Sequence, residues 1–167
     1  AATVGQVWAV YCAERKSKWG DRHRADHDKM AGAGGKKATR GTKGVGVTKP
    51  GVLHALMAIP LKDRTPQAVE AWAATEAIAR ATQARLGARM LNAFVTWCED
   101  HPDYKGLVPR GTATVKTRRT REALGKAKVK SDSLLREQLA SWFAAVRALG
   151  NPEASACIQV VLLTGAR

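Results

Sequence analysis

The sequence predicts an all-α protein, and three observations support this fold class. Apolar residues recur at intervals of three and four along successive segments, whereas no segment alternates between polar and apolar residues for long. Residue types that commonly cap helices stand just before most of these segments. No internal repeat is found. We therefore expect four helices within residues 1–105, a basic linker over 106–131, and two further helices within 132–167.

The first two helices follow from a capping pattern and a change in polarity. Thr3 and Gln6 have the spacing of a capping box, which predicts a helix over about 4–17. A second helix, polar and mixed in charge, is expected over 21–30, with Trp19 before it as an apolar anchor. The inward face of the first helix is expected to carry Val4, Val7, Trp8 and Tyr11.

Two threonines are expected to begin the next two helices. Thr65 followed by Pro66 is typical of an N-cap with proline at the first helical position. Thr82 is expected to cap a fourth helix, which runs to about residue 100 and ends before Pro102. Val69 and Trp72 are the predicted core residues of the third helix; those of the fourth are Leu86, Met90, Leu91, Phe94, Val95, Trp97 and Cys98.

The last two helices lie beyond the basic stretch. Residues 131–133 (Ser-Asp-Ser) are expected to cap a helix that Gly150 ends, and Asn151 followed by Pro152 predicts a second helix that runs into Leu163. The apolar stripe of the first of these helices is expected to contain Leu135, Leu139, Trp142, Val146 and Leu149.

The charge of the chain favours a nucleic-acid partner. The 167 residues carry a formal net charge of +14, which attracts phosphate polymers or anionic membranes. Because the basic residues are clustered, we favour nucleic acid over a merely basic surface or a ribosomal type of protein. No apolar run is long enough to cross a membrane, and no signal-peptide pattern is present. Three widely spaced cysteines without a CxxC pattern favour a reducing, cytoplasmic compartment.

One polar stripe on the fourth predicted helix is a candidate surface for reading DNA bases. Arginine and asparagine side chains there have the donor groups that read base edges in a major groove. An ordinary solvated helix face is the alternative, because every amphipathic helix has one. The candidate DNA-binding residues are Arg85, Arg89, Asn92 and Thr96, with Gln83 near the start of the helix.

The predicted linker is the strongest electrostatic signal. Glu122 is the single acid among the many basic residues of this segment. A flexible basic segment can follow a phosphate backbone and release counterions from it. The alternative is a solvated linker that self-repulsion keeps extended. The candidate phosphate contacts are Lys116, Arg118, Arg119, Arg121, Lys126, Lys128 and Lys130.

The Gly/Lys-rich loop over 32–46 is a further candidate for phosphate contact, although it matches no nucleotide-binding motif. A Walker A motif needs glycine five residues before the Gly35-Lys36 pair, where Met30 stands, and the Gly-x-Gly-x-x-Gly pattern fails at Lys37. A loop without order is the alternative. The candidate contacts here are Lys36, Lys37, Arg40 and Lys43.

The sequence predicts neither a metal site nor a hydrolytic site. His23 and His27 stand four residues apart on the second helix, but no third ligand has suitable spacing, so a polar helix face is the better interpretation. No Ser/His/Asp or Cys/His arrangement is visible.

Two stretches resemble the tyrosine recombinase (phage integrase) family. Residues 82–99 resemble the last long helix of the family's core-binding domain, and Thr65-Pro66 stands where that domain usually begins a preceding helix. Residues 133–139 and the ending 161–167 (Val-Leu-Leu-Thr-Gly-Ala-Arg) are similar to the opening of the catalytic domain. The ending is the most specific of these matches.

The resemblance implies a fold and a function. It implies a four-helix, SAM-like core-binding domain over 1–105, the linker over 106–131, and the first two helices of the catalytic domain over 132–167. The core-binding and catalytic domains would clamp double-stranded attachment-site DNA from opposite sides, with other integrase protomers on the same DNA and without a metal or cofactor. Arg167 matches the family's first catalytic arginine, whereas the remaining catalytic residues would lie downstream. The fragment alone is then expected to bind duplex DNA without cutting it. The alternatives are a helical DNA-binding regulator or architectural protein, and a basic RNA-binding protein.

Overall fold

Helices form the architecture throughout the part of the chain that the computed structural model describes, namely residues 1–37, 46–108, 117–127 and 134–165. The described ranges contain no named strand, only two isolated bridges, so the all-α prediction is confirmed. None of their helices is both long and apolar enough to cross a membrane. The helices are α1 (Val4–Arg15), α2 (Asp21–Ala31), α3 (His54–Met57), α4 (Pro66–Asp100), α5 (Arg118–Leu124), α6 (Leu139–Arg147) and α7 (Pro152–Thr164).

The chain divides into two compact units, Ala1–Ala127 and Lys128–Arg167. The first unit contains α1 to α5, and the second contains α6 and α7. The segment over 106–131, predicted as a linker between two helical modules, therefore contributes its described parts, 106–108 and 117–127, to the first unit.

Helix α1 begins as the sequence predicts. The Gln6 amide donates to Thr3 Oγ1 at 3.2 Å, and the Thr3 amide donates to Gln6 Oε1 at 2.9 Å, which completes the capping box. The helix ends at Arg15 and continues as a short 3₁₀ turn through Lys18. All four of its predicted inward residues are buried: Val4, Val7, Trp8 and Tyr11.

An aromatic cluster joins α1, α2 and α4. The Trp8 ring lies 5.2 Å from Phe94, and the Tyr11 ring lies 5.3 Å from Trp97, between ring centroids. Trp19 packs against this core beside Tyr11, as expected for an anchor before α2. Aromatic pairs at these separations add to the free energy gained from burial alone. The cluster therefore fixes α1 and α2 against the second half of α4.

Helix α4 replaces two predicted helices, and the break between them is not where the sequence placed it. The 35-residue helix is kinked at Arg80, whose φ of −156° and ψ of 61° are not helical. Arg80 bonds the carboxylate of Glu76 at 2.5 Å and the Pro50 carbonyl at 2.6 Å, so it ties the kink to the preceding loop. Thr82, the predicted cap, instead accepts a bond from the Arg85 side chain. The prediction of a cap at Thr82 was wrong because the chain turns two residues earlier.

The start of α4 and its core face are confirmed. The Ala68 amide donates to Thr65 Oγ1 at 3.2 Å, with Pro66 at the first helical position. Trp72 is buried and its indole N–H donates to the Val52 carbonyl at 2.7 Å. Of the core residues predicted for its second half, only Leu86 is less than fully buried; Met90, Leu91, Phe94, Val95, Trp97 and Cys98 are buried.

Helices α6 and α7 correspond to the last two predicted helices. A 3₁₀ turn over Arg136–Gln138 precedes α6, and the predicted cap at 131–133 lies outside the described residues. Helix α7 is capped by Asn151, whose Oδ1 accepts from the Ala154 amide at 3.0 Å. Gly165 ends α7 with φ of 65°, a left-handed conformation that glycine adopts without strain.

Candidate nucleic-acid interface

Helix α5 is an element of the first unit that the sequence did not predict. Residues 106–131 were predicted to form a linker because this basic stretch lacks periodic apolar residues, yet Arg118–Leu124 is helical. Thr117 caps this helix by accepting from the Thr120 amide at 3.1 Å, and Gly125 follows its end with φ of 60°. A threonine cap and a terminal glycine were the local signals that could have revealed it.

Helix α5 packs against α4 through a small buried face. Thr120 is fully buried and Leu124 is buried, whereas Arg118, Arg121 and Glu122 are exposed. A helix of seven residues is marginal on its own, because nucleation costs more than so few hydrogen bonds return. The contact with α4 is therefore what keeps α5 folded.

Arg85 of α4 holds the C-terminal end of α5. Its Nη1 donates to the Leu124 carbonyl at 3.2 Å, and its Nη2 donates to Thr82 Oγ1 at 3.2 Å. The last carbonyls of a helix lack partners within the helix and carry partial negative charge. A guanidinium at this position satisfies one carbonyl and interacts favourably with the helix dipole.

A basic groove lies between α4 and α5. The groove has a volume of about 810 Å³, and its side chains include five cations and one acid. The acid, Glu122, pairs with Arg118 at 2.7 Å one helical turn away, so most of the positive charge is not neutralised within the groove. We call this feature the basic groove; it is lined by Arg85, Arg89, Arg118, Arg121, Glu122, Leu124, Gly125, Lys126 and Ala127.

The structure separates the members of the predicted polar stripe. Arg89 is exposed and lines the basic groove, whereas Arg85 is half-buried and bonded to α5. Asn92 is also half-buried, and its Oδ1 is buried without a hydrogen-bond partner among the residues that the structure describes. Thr96 is exposed and donates to the Asn92 carbonyl at 3.0 Å; Gln83 is exposed.

The predicted basic residues of the linker and loop are divided between several places. Arg118, Arg121 and Lys126 line the basic groove, whereas Arg119 is exposed on α5 outside the lining. Lys36 and Lys37 are exposed and are not among the groove residues. The other predicted contacts, together with the predicted catalytic arginine, lie outside the described residues: Arg40, Lys43, Lys116, Lys128, Lys130 and Arg167.

His27 differs from the polar surface residue that the sequence suggested. It is only 2% exposed, and its ring lies 4.1 Å from Trp19 and 5.6 Å from Trp8, between centroids. Its Nδ1 donates to the His23 carbonyl at 2.9 Å, and burial lowers its pKa. The described residues contain no group of three or more ligating side chains that could hold a metal. His27 is therefore a core residue, while His23 is exposed.

The three cysteines are free thiols in different environments. Burial raises the pKa of Cys98 to about 12 and that of half-buried Cys12 to about 11, so both are protonated at neutral pH. Cys157 is exposed. The two thiols of the first unit therefore act as small apolar groups of its interior.

The family follows from comparison with known proteins. A family model described as the phage integrase core-binding domain matches residues 3–122, which include α1 to α4 and most of α5. The chain belongs to this family. The resemblance predicted from the sequence is thus confirmed, and the family match extends past residue 105 into α5.

One curated relative supports the same assignment. The prophage integrase IntF of Escherichia coli (strain K12) is 39% identical over 155 residues, which is 93% of this chain. Those residues are 32% of the relative, so the chain spans about a third of the length of that protein. No solved structure matches.

Proposed function

We propose that this chain binds duplex DNA through the basic groove between α4 and α5. The observation that carries the proposal is the composition of the groove: five basic side chains surround one acid, which is itself paired with Arg118. Exposed cations on a surface displace counterions from a phosphate backbone, which supplies much of the affinity for DNA. Family membership agrees with this partner.

The residues of the basic groove divide into candidates for phosphate contact and one candidate for base recognition. Arg118 and Arg121 are exposed on the short helix α5 and Lys126 is exposed just after it, so their long side chains can reach phosphate oxygens. Arg89 projects from the long helix α4 without a hydrogen bond or ion pair to any described residue. Its guanidinium fork suits a bidentate contact with a guanine edge, so Arg89 is our candidate for sequence discrimination.

The wider role that we propose is site-specific DNA integration or recombination by a larger protein. This rests on the family and on the relative, whose name is prophage integrase. In that setting the chain contributes to binding an attachment site alongside other protomers in the cytoplasm. Residues 132–167 would begin the catalytic domain, with Arg167 as its first catalytic arginine, and this part alone would bind DNA without strand cleavage.

Fluorescence anisotropy on labelled duplex DNA and single-stranded RNA of equal length tests the proposed partner. We expect tighter binding to the duplex, with an affinity that falls steeply as salt rises from about 50 to 200 mM because several phosphates are neutralised. Equal or tighter binding to single-stranded RNA would contradict the proposal and favour an RNA-binding protein. Duplex affinity that does not respond to salt would contradict the role of the basic groove.

A further inference from the structure

Arg85 and Arg89 form a natural pair for comparison, because both line the basic groove from the same helix, one turn apart. In the sequence the two arginines lie on the same predicted polar stripe and have the same predicted role. In the structure Arg85 is half-buried, with one donor on the Leu124 carbonyl and another on Thr82 Oγ1, both at 3.2 Å. Arg89 is exposed and has no such bond to a described residue.

The bond from Arg85 to the Leu124 carbonyl is made at the C-terminal end of α5. The buried face of α5 consists of Thr120 and Leu124, and its N-terminal end is already capped by Thr117. At the other end Gly125 has left the helix, and the guanidinium of Arg85 reaches the carbonyl of the last helical residue. Removing Arg85 would leave this part-buried carbonyl without its charged partner and, among the described residues, would break the side-chain bond that ties the C-terminal end of α5 to α4.

We propose that Arg85 is a positioning residue, which fixes α5 on α4 so that Arg118 and Arg121 stand on the basic groove. It then affects DNA affinity through α5 and not by reading a base itself. This inference rests on the proposed function for its effect on DNA, whereas its effect on α5 is independent of any ligand. A planar fork supplies both bonds at once, and a lysine ammonium, as a single charged centre, fits this pair of acceptors less well.

The first test measures α5 without DNA, by residue-resolved amide hydrogen exchange of wild type, Arg85→Ala and Arg89→Ala. The reporters are the amides of Arg121, bonded to the Thr117 carbonyl, and Gly125, bonded to the Arg121 carbonyl. In Arg85→Ala we expect their exchange to accelerate about tenfold, the effect of losing a hydrogen bond to a charged group. Amides in the core part of α4, over 91–98, should keep their wild-type rates.

Arg89→Ala is the matched control, since it removes the same group from the same groove and should leave both reporter amides unchanged. Arg85→Lys should restore part of the protection, because one ammonium can still reach one acceptor. Unchanged reporter rates in Arg85→Ala would overturn the proposal. Equal acceleration in the core of α4 would overturn it as well, because Arg85 would then stabilise the whole unit and not α5 in particular.

The second test is a double-mutant cycle in duplex affinity. If Arg85 acts through α5, then Arg121→Ala should weaken binding several-fold in wild type but much less in the Arg85→Ala background. In the Arg89→Ala background its effect should remain close to that in wild type. Additive losses for Arg85 and Arg121 would overturn the proposal by indicating that Arg85 contacts DNA directly. If no variant or wild type bound duplex DNA, the proposed function would fail, while the exchange result on α5 would still stand.

Discussion

At the scale of single residues, two side chains that look equivalent in the sequence can have different environments in the fold. Arg85 and Arg89 follow the same helical stripe, yet one is bonded to a neighbouring helix and the other is exposed. His23 and His27 differ in the same way, since only His27 lies among the aromatic rings of the core. Helical periodicity predicts which side of a helix faces inward, but it cannot predict a second helix that covers part of the outer side.

The burial of His27 predicts a loss of stability in acid. Burial is the largest cause of its lowered pKa; the backbone bond to His23 and the carboxylates of Asp26 and Asp28 oppose it, and the charge of His23 adds to it. Below the ordinary pKa of 6.5 the unfolded chain therefore binds a proton that the folded chain excludes. The stabilisation is complete above that pH and is lost as pH falls toward the lower folded-state pKa.

Urea unfolding measured from about pH 7.5 down to about pH 5, the range in which histidines titrate, tests this effect. As the pH is lowered, we expect the free energy of unfolding to decrease by up to about 1.4 kcal/mol per pH unit for one excluded proton. His27→Gln removes the titrating ring and keeps His23, so the contribution from His27 should disappear from the slope. An identical slope in wild type and in His27→Gln would show that the buried ring does not cause it.

At the scale of helices, caps were the most informative part of the sequence. The caps at Thr3, Thr65 and Asn151 were all predicted and are all present. The elements that were missed, α3 and α5, are four and seven residues long, too short to show apolar periodicity. The kink at Arg80 could not be predicted either, because it depends on Arg80 reaching the distant Pro50 carbonyl.

Thr117 gives a prediction about α5 that is independent of the groove's charge. Its Oγ1 accepts from the Thr120 amide, so Thr117→Ala should favour local opening of α5 by about 0.5–2 kcal/mol. The amides of Arg121 and Gly125 should then exchange faster, and duplex affinity should fall with them. Thr117→Ser retains the capping oxygen and should resemble wild type in both measurements. A wild-type exchange rate in Thr117→Ala would mean that the cap does not hold α5.

At the scale of the whole molecule, the charge of the chain suggests a class of partner but does not predict the shape of the surface. The net charge of +14 and the dense basic stretch suggested a flexible segment lying along DNA. In the structure, the described part of that stretch includes a capped helix, α5, which packs on α4. Arg118 and Arg121 of α5 line the basic groove and do not form an extended strap. The fold class and the first-unit core were thus predictable from periodicity, whereas the groove depends on long-range packing.

The central claim, that the basic groove binds duplex DNA, is tested most directly by the salt dependence of affinity in two charge-matched variants. Arg118→Ala/Arg121→Ala removes two cations from the groove, and Lys29→Ala/Lys62→Ala removes two exposed cations from outside it. The groove variant should bind duplex DNA more weakly, with the slope of log affinity against log salt reduced by about two. The control variant should keep a slope close to that of wild type. Equal slopes in the two variants would contradict the account, because the affinity would then come from total charge and not from the groove.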